Sequence, residues 1–330
     1  MKDIQENEPD YKIYDCVIVG AGPAGLTAAL YGKRGNLDLA IIEKDSPGGK
    51  IVRTGKIENY PGFVEIDGPD LAWKFYEQVL KLNIPLLTGT VYKIKNISTL
   101  HKVVYYKNDL EKKEIHTKTI IIATGLNEKK IGIPGEDEFY GHGVSYCAVC
   151  DAVFFKNEPV AVIGGGNTAL EEAMYLTKYN PKIYLIHRRD QYRAAKILVT
   201  RLNHHQDVIE EKLSFIPLAI NGNLNNMKIN SILVKNIKTN EEELLNVSAV
   251  FPFIGLEPNS SFLKNSNIDL DLKNNFIQVN QKMETNHVGI YAVGDIINNK
   301  TLHQIVNAAS DGAIAAQEVI KYLDNLSDKD

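Results

Sequence analysis

Cysteine is scarce: the 330 residues hold only Cys16, Cys147 and Cys150. Three cysteines cannot staple a chain of this size, so a disulfide scaffold is excluded. No apolar run reaches the roughly 18 residues that a membrane span needs. An excess of either charge is also missing. Lys plus Arg is 37 and Asp plus Glu is 41, a net charge of −4. A nucleic-acid binder usually carries a basic domain, so that class is not expected. The first residues, MKDIQENEPDYK, lack an h-region or cleavage site, so no secretory leader and a cytoplasmic location are expected. Low-complexity stretches are absent too, and 44% hydrophobic residues exclude disorder as the main state. A length of 330 residues suggests about two domains.

A long-period repeat is present. Residues 15–25 (DCVIVGAGPAG) are echoed by residues 159–169 (PVAVIGGGNTA). Each copy runs from a short apolar strand through a glycine turn into a helix, residues 24–34 and 167–178. Each then reaches a second strand, residues 37–42 and 182–186. Two strand–turn–helix–strand units predict two dinucleotide-binding domains in an α/β chain. Further strands are expected at 91–106, 115–122, 231–237 and 248–254, and in the run Gly289 to Asp295. Residues 126–142 read as a linker. A closing helix is expected over 302–323, with residues 327–330 frayed.

In the first copy Gly20 makes the tight turn, Gly22 lets backbone approach a pyrophosphate and Gly25 permits close helix–strand packing. Glu43 follows 18 residues after Gly25, near the spacing of about 20 for a carboxylate on a ribose hydroxyl. The second copy reads Gly164, Gly166 and Ala169, and its next strand ends in His187-Arg188-Arg189, with Arg193 close by. Guanidinium groups pair with a 2′-phosphate where a carboxylate would repel it, so this site is read as NADP-specific. The acid-bearing site is read as FAD-binding, although its pattern alone fits NAD equally. Gly294-Asp295 at a late strand end supplies an acid for a second hydroxyl chain such as ribityl.

Cys147 and Cys150 flank Ala148 and Val149. Zinc would need about four ligands, and no companion residues complete such a set, so no metal is expected. A redox disulfide is the favoured reading over inert thiols. Asp151 serves equally well as a proton donor to a departing thiolate or as a helix-start acid. His204-His205 reads as surface, Glu171-Glu172 as first-turn acids suited to the helix dipole, and Trp73 as packing.

The motifs GAGPAGLTAA, IENYPG, IIATG, CAVCD, GGGNTALEEA, HRRDQYRAAKIL, FIGLEPN and VGIYAVGDI run in this order along nearly the whole chain. In this set the sequence resembles the low-molecular-weight, bacterial-type thioredoxin reductases, the FAD- and NADPH-dependent disulfide oxidoreductases. The resemblance implies two Rossmann-like domains, the NADPH domain with its CxxC (127–254) inserted into a discontinuous FAD domain (1–126 and 255–330). It implies FAD contacts from Gly20, Gly22, Pro23, Ala24, Gly25, Glu43, Asn59, Ala123, Gly294, Asp295 and Gln304. NADPH contacts would come from Gly164, Gly166, Asn167, Thr168, His187, Arg188, Arg189 and Arg193. Cys150 would lie next to the flavin, Cys147 would attack the partner disulfide, and Asp151 would carry the proton. A homodimer with thioredoxin as substrate is implied, as is rotation of one domain against the other. The chain departs from the pattern at Lys50, His142, Ala152 and His303, where Gln, Arg, Gly and Arg are usual. A related flavin reductase acting on another protein or small disulfide is the rival reading. The arginines speak against a ferredoxin-driven enzyme, and the CxxC against a ferredoxin–NADP reductase. A non-enzymatic redox sensor would need an effector domain, and none is left over.

Overall fold

A computed structural model describes residues 11–54, 56–266, 272–298 and 303–327. The chain divides into two compact units: Met1–Asn127 with Pro258–Asp330, and Glu128–Glu257.

The first unit begins with β1 (Ile13–Val19), α1 (Pro23–Arg34) and β2 (Leu39–Glu43). A small hairpin, β3 (Lys56–Ile57) and β4 (Ile66–Asp67), precedes α2 (Gly68–Lys81) and β5 (Leu86–Thr88). A meander of β6 (Thr90–Ser98), β7 (His101–Lys107) and β8 (Lys112–Ile122) follows. The sheet order is β5-β2-β1-β8-β7-β6. The first half of β8 pairs antiparallel with β7 and its last residues pair parallel with β20 (Ile290–Ala292), so the sheet is mixed. All five residues of β2 and the last four of β1 are buried. That is why both read as continuous apolar runs rather than alternating ones. The closing helix α6 (Ile305–Ser327) lies against α1: a Cβ on Gly312 would meet the Ala24 carbonyl oxygen at 2.1 Å. Position 302, where the sequence places its start, lies outside the described residues, as do 328–330.

The chain leaves the first unit through β9 (Leu126–Glu128) and returns through β17 (Leu256–Pro258), which pair with each other. The second unit contains the four-residue helix α3 (Ala148–Asp151), then β10 (Val160–Gly164), α4 (Asn167–Leu176) and β11 (Ile183–His187). After α5 (Lys196–Leu202) comes β12 (Ile209–Leu213). An antiparallel layer of β13 (Phe215–Asn223), β14 (Lys228–Asn236) and β15 (Glu242–Asn246) precedes β16 (Ala249–Phe253). The parallel sheet is ordered β12-β11-β10-β16. Its faces are filled by Val160, Val162, Leu185 and Phe251 with the α4 residues Leu170 and Leu176 on one side. Ala161, Ile163, Ile186 and Val250 fill the other side with Ile232 and Val234 of β14. The last two short strands, β18 (Leu272–Lys273) and β19 (Phe276–Ile277), belong to the first unit.

The expected single strand over 91–106 is a hairpin, turning at Thr99-Leu100. Trp73 does not pack inside: it is 57% exposed on α2. Glu171 and Glu172 are not in a first turn, because α4 starts at Asn167 and has no first-turn acid.

Candidate functional site

Two glycine turns and one disulfide define the candidate chemistry. At the end of β1, Gly20 holds φ +106°, and a Cβ there would lie 2.4 Å from the Ala123 carbonyl oxygen. A Cβ on Gly25 would lie 1.9 Å from the Gly20 carbonyl oxygen, so the helix sits directly on the turn. Gly22 has nothing within 4 Å of its would-be Cβ. It caps α1 without a side-chain hydrogen bond, Pro23 opens the helix and no acid occupies the first turn. Open N–H groups at a helix start without a competing carboxylate fit a pyrophosphate.

Glu43 is 9% exposed at the end of β2. Its Oε2 accepts from Ala21 N–H at 2.6 Å and its Oε1 from Asp45 N–H at 2.9 Å. The carboxylate is thus fixed beside the turn, with lone pairs left for hydroxyl donors. Asn59 Nδ2 donates to Gln304 Oε1 at 2.9 Å, joining two expected contacts 245 positions apart. Ala24 is buried, and the Ala123 N–H bonds the Val19 carbonyl at 2.8 Å. Gly294, with φ +77°, donates its N–H to Asp311 Oδ2 at 3.1 Å. His303 Nδ1, at the position where the resemblance expects arginine, lies 3.3 Å from Asp295 Oδ1. Asp311 is not among the residues that the sequence motifs single out. Its signal is an acid amid the small apolar residues of α6, where it is 9% exposed.

The second turn is built alike. Gly164 has φ +156°, and a Cβ there would lie 2.4 Å from the Phe253 carbonyl oxygen. Gly166 has open space around it and caps α4 without a side-chain bond. Asn167 Oδ1 accepts from Ala195 N–H at 2.8 Å, and Thr168 is exposed in the first turn. Arg188, Arg189 and Arg193 are exposed just past β11, and none pairs with a carboxylate among the described residues. His187 is 7% exposed, and burial, then the three guanidinium groups, hold its imidazole below the usual histidine range.

The Cys147–Cys150 pair is a disulfide with Cα atoms 5.4 Å apart. Cys147 is half-buried and caps α3: its Sγ accepts the Cys150 N–H at 3.1 Å. A backbone donor at this sulfur stabilises negative charge once the bond is reduced. Cys150 is exposed. Ser145 fixes the approach, its Oγ accepting from Cys147 N–H at 3.1 Å. Asp151 ends α3 and its side chain caps neither α3 nor the following turn. Val153 and Phe154 stand 57% and 76% exposed just beyond. Cys16 is buried, and its thiol is pushed up to about 12 by that burial. It takes no part in this chemistry.

Glu172 is half-buried, and its Oε2 is the one buried carboxyl oxygen without a hydrogen bond among the described residues. Burial, then Glu171, raise it to about 7. Below about pH 4.5 the acid is protonated in both folded and unfolded chains and costs nothing. As pH rises toward 7 the unfolded chain ionises first, so stability is lost, by about 3 kcal/mol once the group must ionise in the fold. Glu172→Gln should therefore flatten the decline between pH 5 and pH 8 in urea titrations of the protein. An unchanged slope would remove Glu172 as its source.

The chain matches the family model for pyridine nucleotide-disulphide oxidoreductases over residues 14–312. It is 41% identical to the thioredoxin reductase of Bacillus subtilis, over 96% of this chain and 97% of that protein. It is 40% identical to the thioredoxin reductase of Mycoplasma genitalium, over 94% of this chain and 95% of that protein. The crystal structure of Lactococcus lactis thioredoxin reductase in its FR conformation superposes with a TM-score of 0.84 at 40% identity. It covers 94% of this chain and 99% of that one.

Proposed function

Because the chain belongs to the pyridine nucleotide-disulphide oxidoreductase family, we propose that it is an NADPH-dependent thioredoxin-disulfide reductase. The carrying observation is a redox-capable CxxC disulfide in a chain that also holds two differently equipped nucleotide turns. FAD is assigned to the first unit and NADPH to the second. Bound FAD supplies hydride acceptance from NADPH and delivery of the electron pair to a disulfide. The residues of this chain do the rest. The turn at Gly20, Gly22 and Gly25 holds the FAD pyrophosphate, Glu43 its ribose, and Asp295, braced by His303, the ribityl side. Gly164 and Gly166 hold the NADPH pyrophosphate, and Arg188, Arg189 and Arg193 its 2′-phosphate.

Two electrons and two protons convert Cys147–Cys150 to a dithiol. One thiolate attacks the partner's S–S bond, forming a mixed disulfide and expelling a partner thiolate, which takes up a proton. The second cysteine then attacks the mixed disulfide, re-forming Cys147–Cys150 and releasing the reduced partner. Exposure makes Cys150 the thiol a protein disulfide can reach, and the N–H bond makes Cys147 a good resolving thiolate and leaving group. This is the reverse of the order expected from the resemblance. Asp151, adjacent to Cys150, is assigned the proton transfer. Exposed Val153 and Phe154 offer apolar contact to the partner beside the disulfide. A cytoplasmic homodimer belongs to the same proposal. No helix among the described residues is long and apolar enough to cross a membrane.

The test is NADPH consumption by the FAD-loaded protein with and without oxidised thioredoxin. Catalytic oxidation only with thioredoxin supports the reading. Flavin bleaching to which thioredoxin adds nothing would remove thioredoxin as the acceptor. A second expected result concerns the nucleotide. Arg188→Gln with Arg189→Gln should raise the KM for NADPH by about a hundredfold, since charge-assisted bonds to a phosphate are lost. The KM for NADH should hardly move. Equal changes for the two nucleotides would refute the assignment of these arginines to the 2′-phosphate.

A further inference from the structure

Beyond the guanidinium groups, the loop that carries them is bound to the glycine turn by backbone hydrogen bonds and ring contacts. The Gly165 carbonyl accepts two N–H groups from that loop, Arg193 at 2.7 Å and Ala194 at 3.2 Å. His187, the last residue of β11, lies between the two segments. A Cβ on Gly165 would lie 2.3 Å from His187 Cε1 and 2.4 Å from its Nδ1, so the imidazole occupies the space that only glycine leaves free. Tyr192 stacks on the ring, with centroids 5.5 Å apart and planes at 25°. His187 Nε2 meets the Gln191 carbonyl at 3.2 Å, so that nitrogen is the donor. The backbone of Arg189 is tied from the far side, its carbonyl accepting Ser214 N–H at 3.0 Å.

We propose that Gly165 and Tyr192 are positioning residues for nucleotide specificity: they clamp His187 and thereby hold the arginine loop at a fixed place beside the pyrophosphate turn. This rests on the reading of the second unit as the NADPH site. Three long guanidinium side chains lose much rotamer freedom when they grip one phosphate. A backbone already fixed at Gln191, Arg193 and Ala194 removes part of that cost before the ligand arrives. His187 keeps 7% of its surface exposed, and Gly165, Tyr192 and the Gln191 carbonyl surround its ring. The Tyr192 hydroxyl is buried and interacts with the Glu211 carboxylate of β12, outside the arginine loop. The ring face is the part that meets His187.

The clamp predicts a selective effect. A group that merely supports the fold would weaken every nucleotide alike, whereas loosening this loop should weaken only ligands carrying a 2′-phosphate. The experiment is calorimetric titration of the FAD-loaded protein with 2′,5′-ADP and with ADP. Tyr192→Leu, which keeps apolar volume and loses stacking, should weaken 2′,5′-ADP roughly five- to tenfold. ADP should stay within about twofold of the parent. Gly165→Ala pushes on the ring without removing any group, and should show the same selective loss. Tyr192→Phe should bind both ligands as the parent does. Equal weakening of both ligands in Tyr192→Leu and Gly165→Ala, or no weakening of either, overturns the clamp. So does a Tyr192→Phe variant that behaves like Tyr192→Leu. If the parent itself shows no preference for 2′,5′-ADP, it is the NADPH reading that fails, an outcome distinct from the others.

Discussion

Cys150→Ser should lower thioredoxin-dependent NADPH oxidation by a factor on the order of 10³ or more, while NADPH still bleaches the bound flavin. The two half-reactions separate because they use different parts of the chain. Hydride acceptance needs the two nucleotide turns, which lie in other segments and are untouched by a serine at position 150. Turnover needs two sulfurs, one to open the partner's disulfide and one to resolve the adduct. A hydroxyl is far too weak an acid to replace either thiolate at neutral pH. Cys147→Ser should be equally inactive in turnover, but the two variants should differ when mixed with oxidised thioredoxin. Cys147→Ser retains the exposed thiol at Cys150 and should accumulate a covalent adduct visible by intact mass. Cys150→Ser retains the half-buried thiol at Cys147 and should trap far less. Trapping confined to Cys150→Ser would show that Cys147 opens the exchange. Full turnover by either variant would dismiss the dithiol mechanism.

The parts of this fold legible in the sequence are those where local chemistry and tertiary role coincide. Residues 15–19 and 159–163 read as strands because parallel strands covered on both faces must be apolar throughout. The glycines after them read as turns because a backbone at φ +106° or +156° with a carbonyl 2.4 Å from any added Cβ tolerates little else. Glu43 is legible through spacing alone, and its bond to the Ala21 N–H shows how that spacing places the carboxylate beside the turn. Other features carried no such punctuation. The β6–β7 turn uses Thr99-Leu100, with neither glycine nor proline, so two strands merged into one apparent run. The sequence pattern leaves α2 unassigned, although Gly68-Pro69 marks its start. In the β13–β15 layer only the middle strand reads from the sequence, because its outer members are half-exposed and mix polar with apolar residues. Asp311, Gly165 and Tyr192 act on residues remote in sequence, and no window-based pattern connects them. Glu172 shows the opposite failure. Its placement beside Glu171 reads as a pair of helix-start acids, yet Glu171 faces solvent and Glu172 is half-buried.

Gly22→Ala and Gly25→Ala, two like changes three residues apart, should fail for different reasons. A Cβ on Gly25 would lie 1.9 Å from the Gly20 carbonyl oxygen and 3.3 Å from Ile18 Cγ2. Both neighbours are part of the fold, and one is backbone that cannot step aside. The helix must move off the strand end, which should cost the apoprotein about 1–3 kcal/mol or more, as overpacking does elsewhere. Gly22 is otherwise. Its backbone, at φ −74° and ψ −178°, suits alanine, and nothing lies within 4 Å of the added methyl. The apoprotein should therefore melt as the parent does. On the proposed assignment the methyl instead enters the space a pyrophosphate would take against the open N–H groups of α1, so FAD affinity should fall by about a hundredfold. Urea unfolding of the two apoproteins and flavin fluorescence titration distinguish these outcomes. Normal FAD binding by Gly22→Ala would show that the open face of this turn is not where the pyrophosphate lies. Loss of stability in that variant would show that the space is filled by the protein's own motions. With stability kept and FAD lost, a glycine that costs the fold nothing to replace is retained for the ligand alone. The neighbouring Gly25 is then held by the fold first and by the ligand only through it.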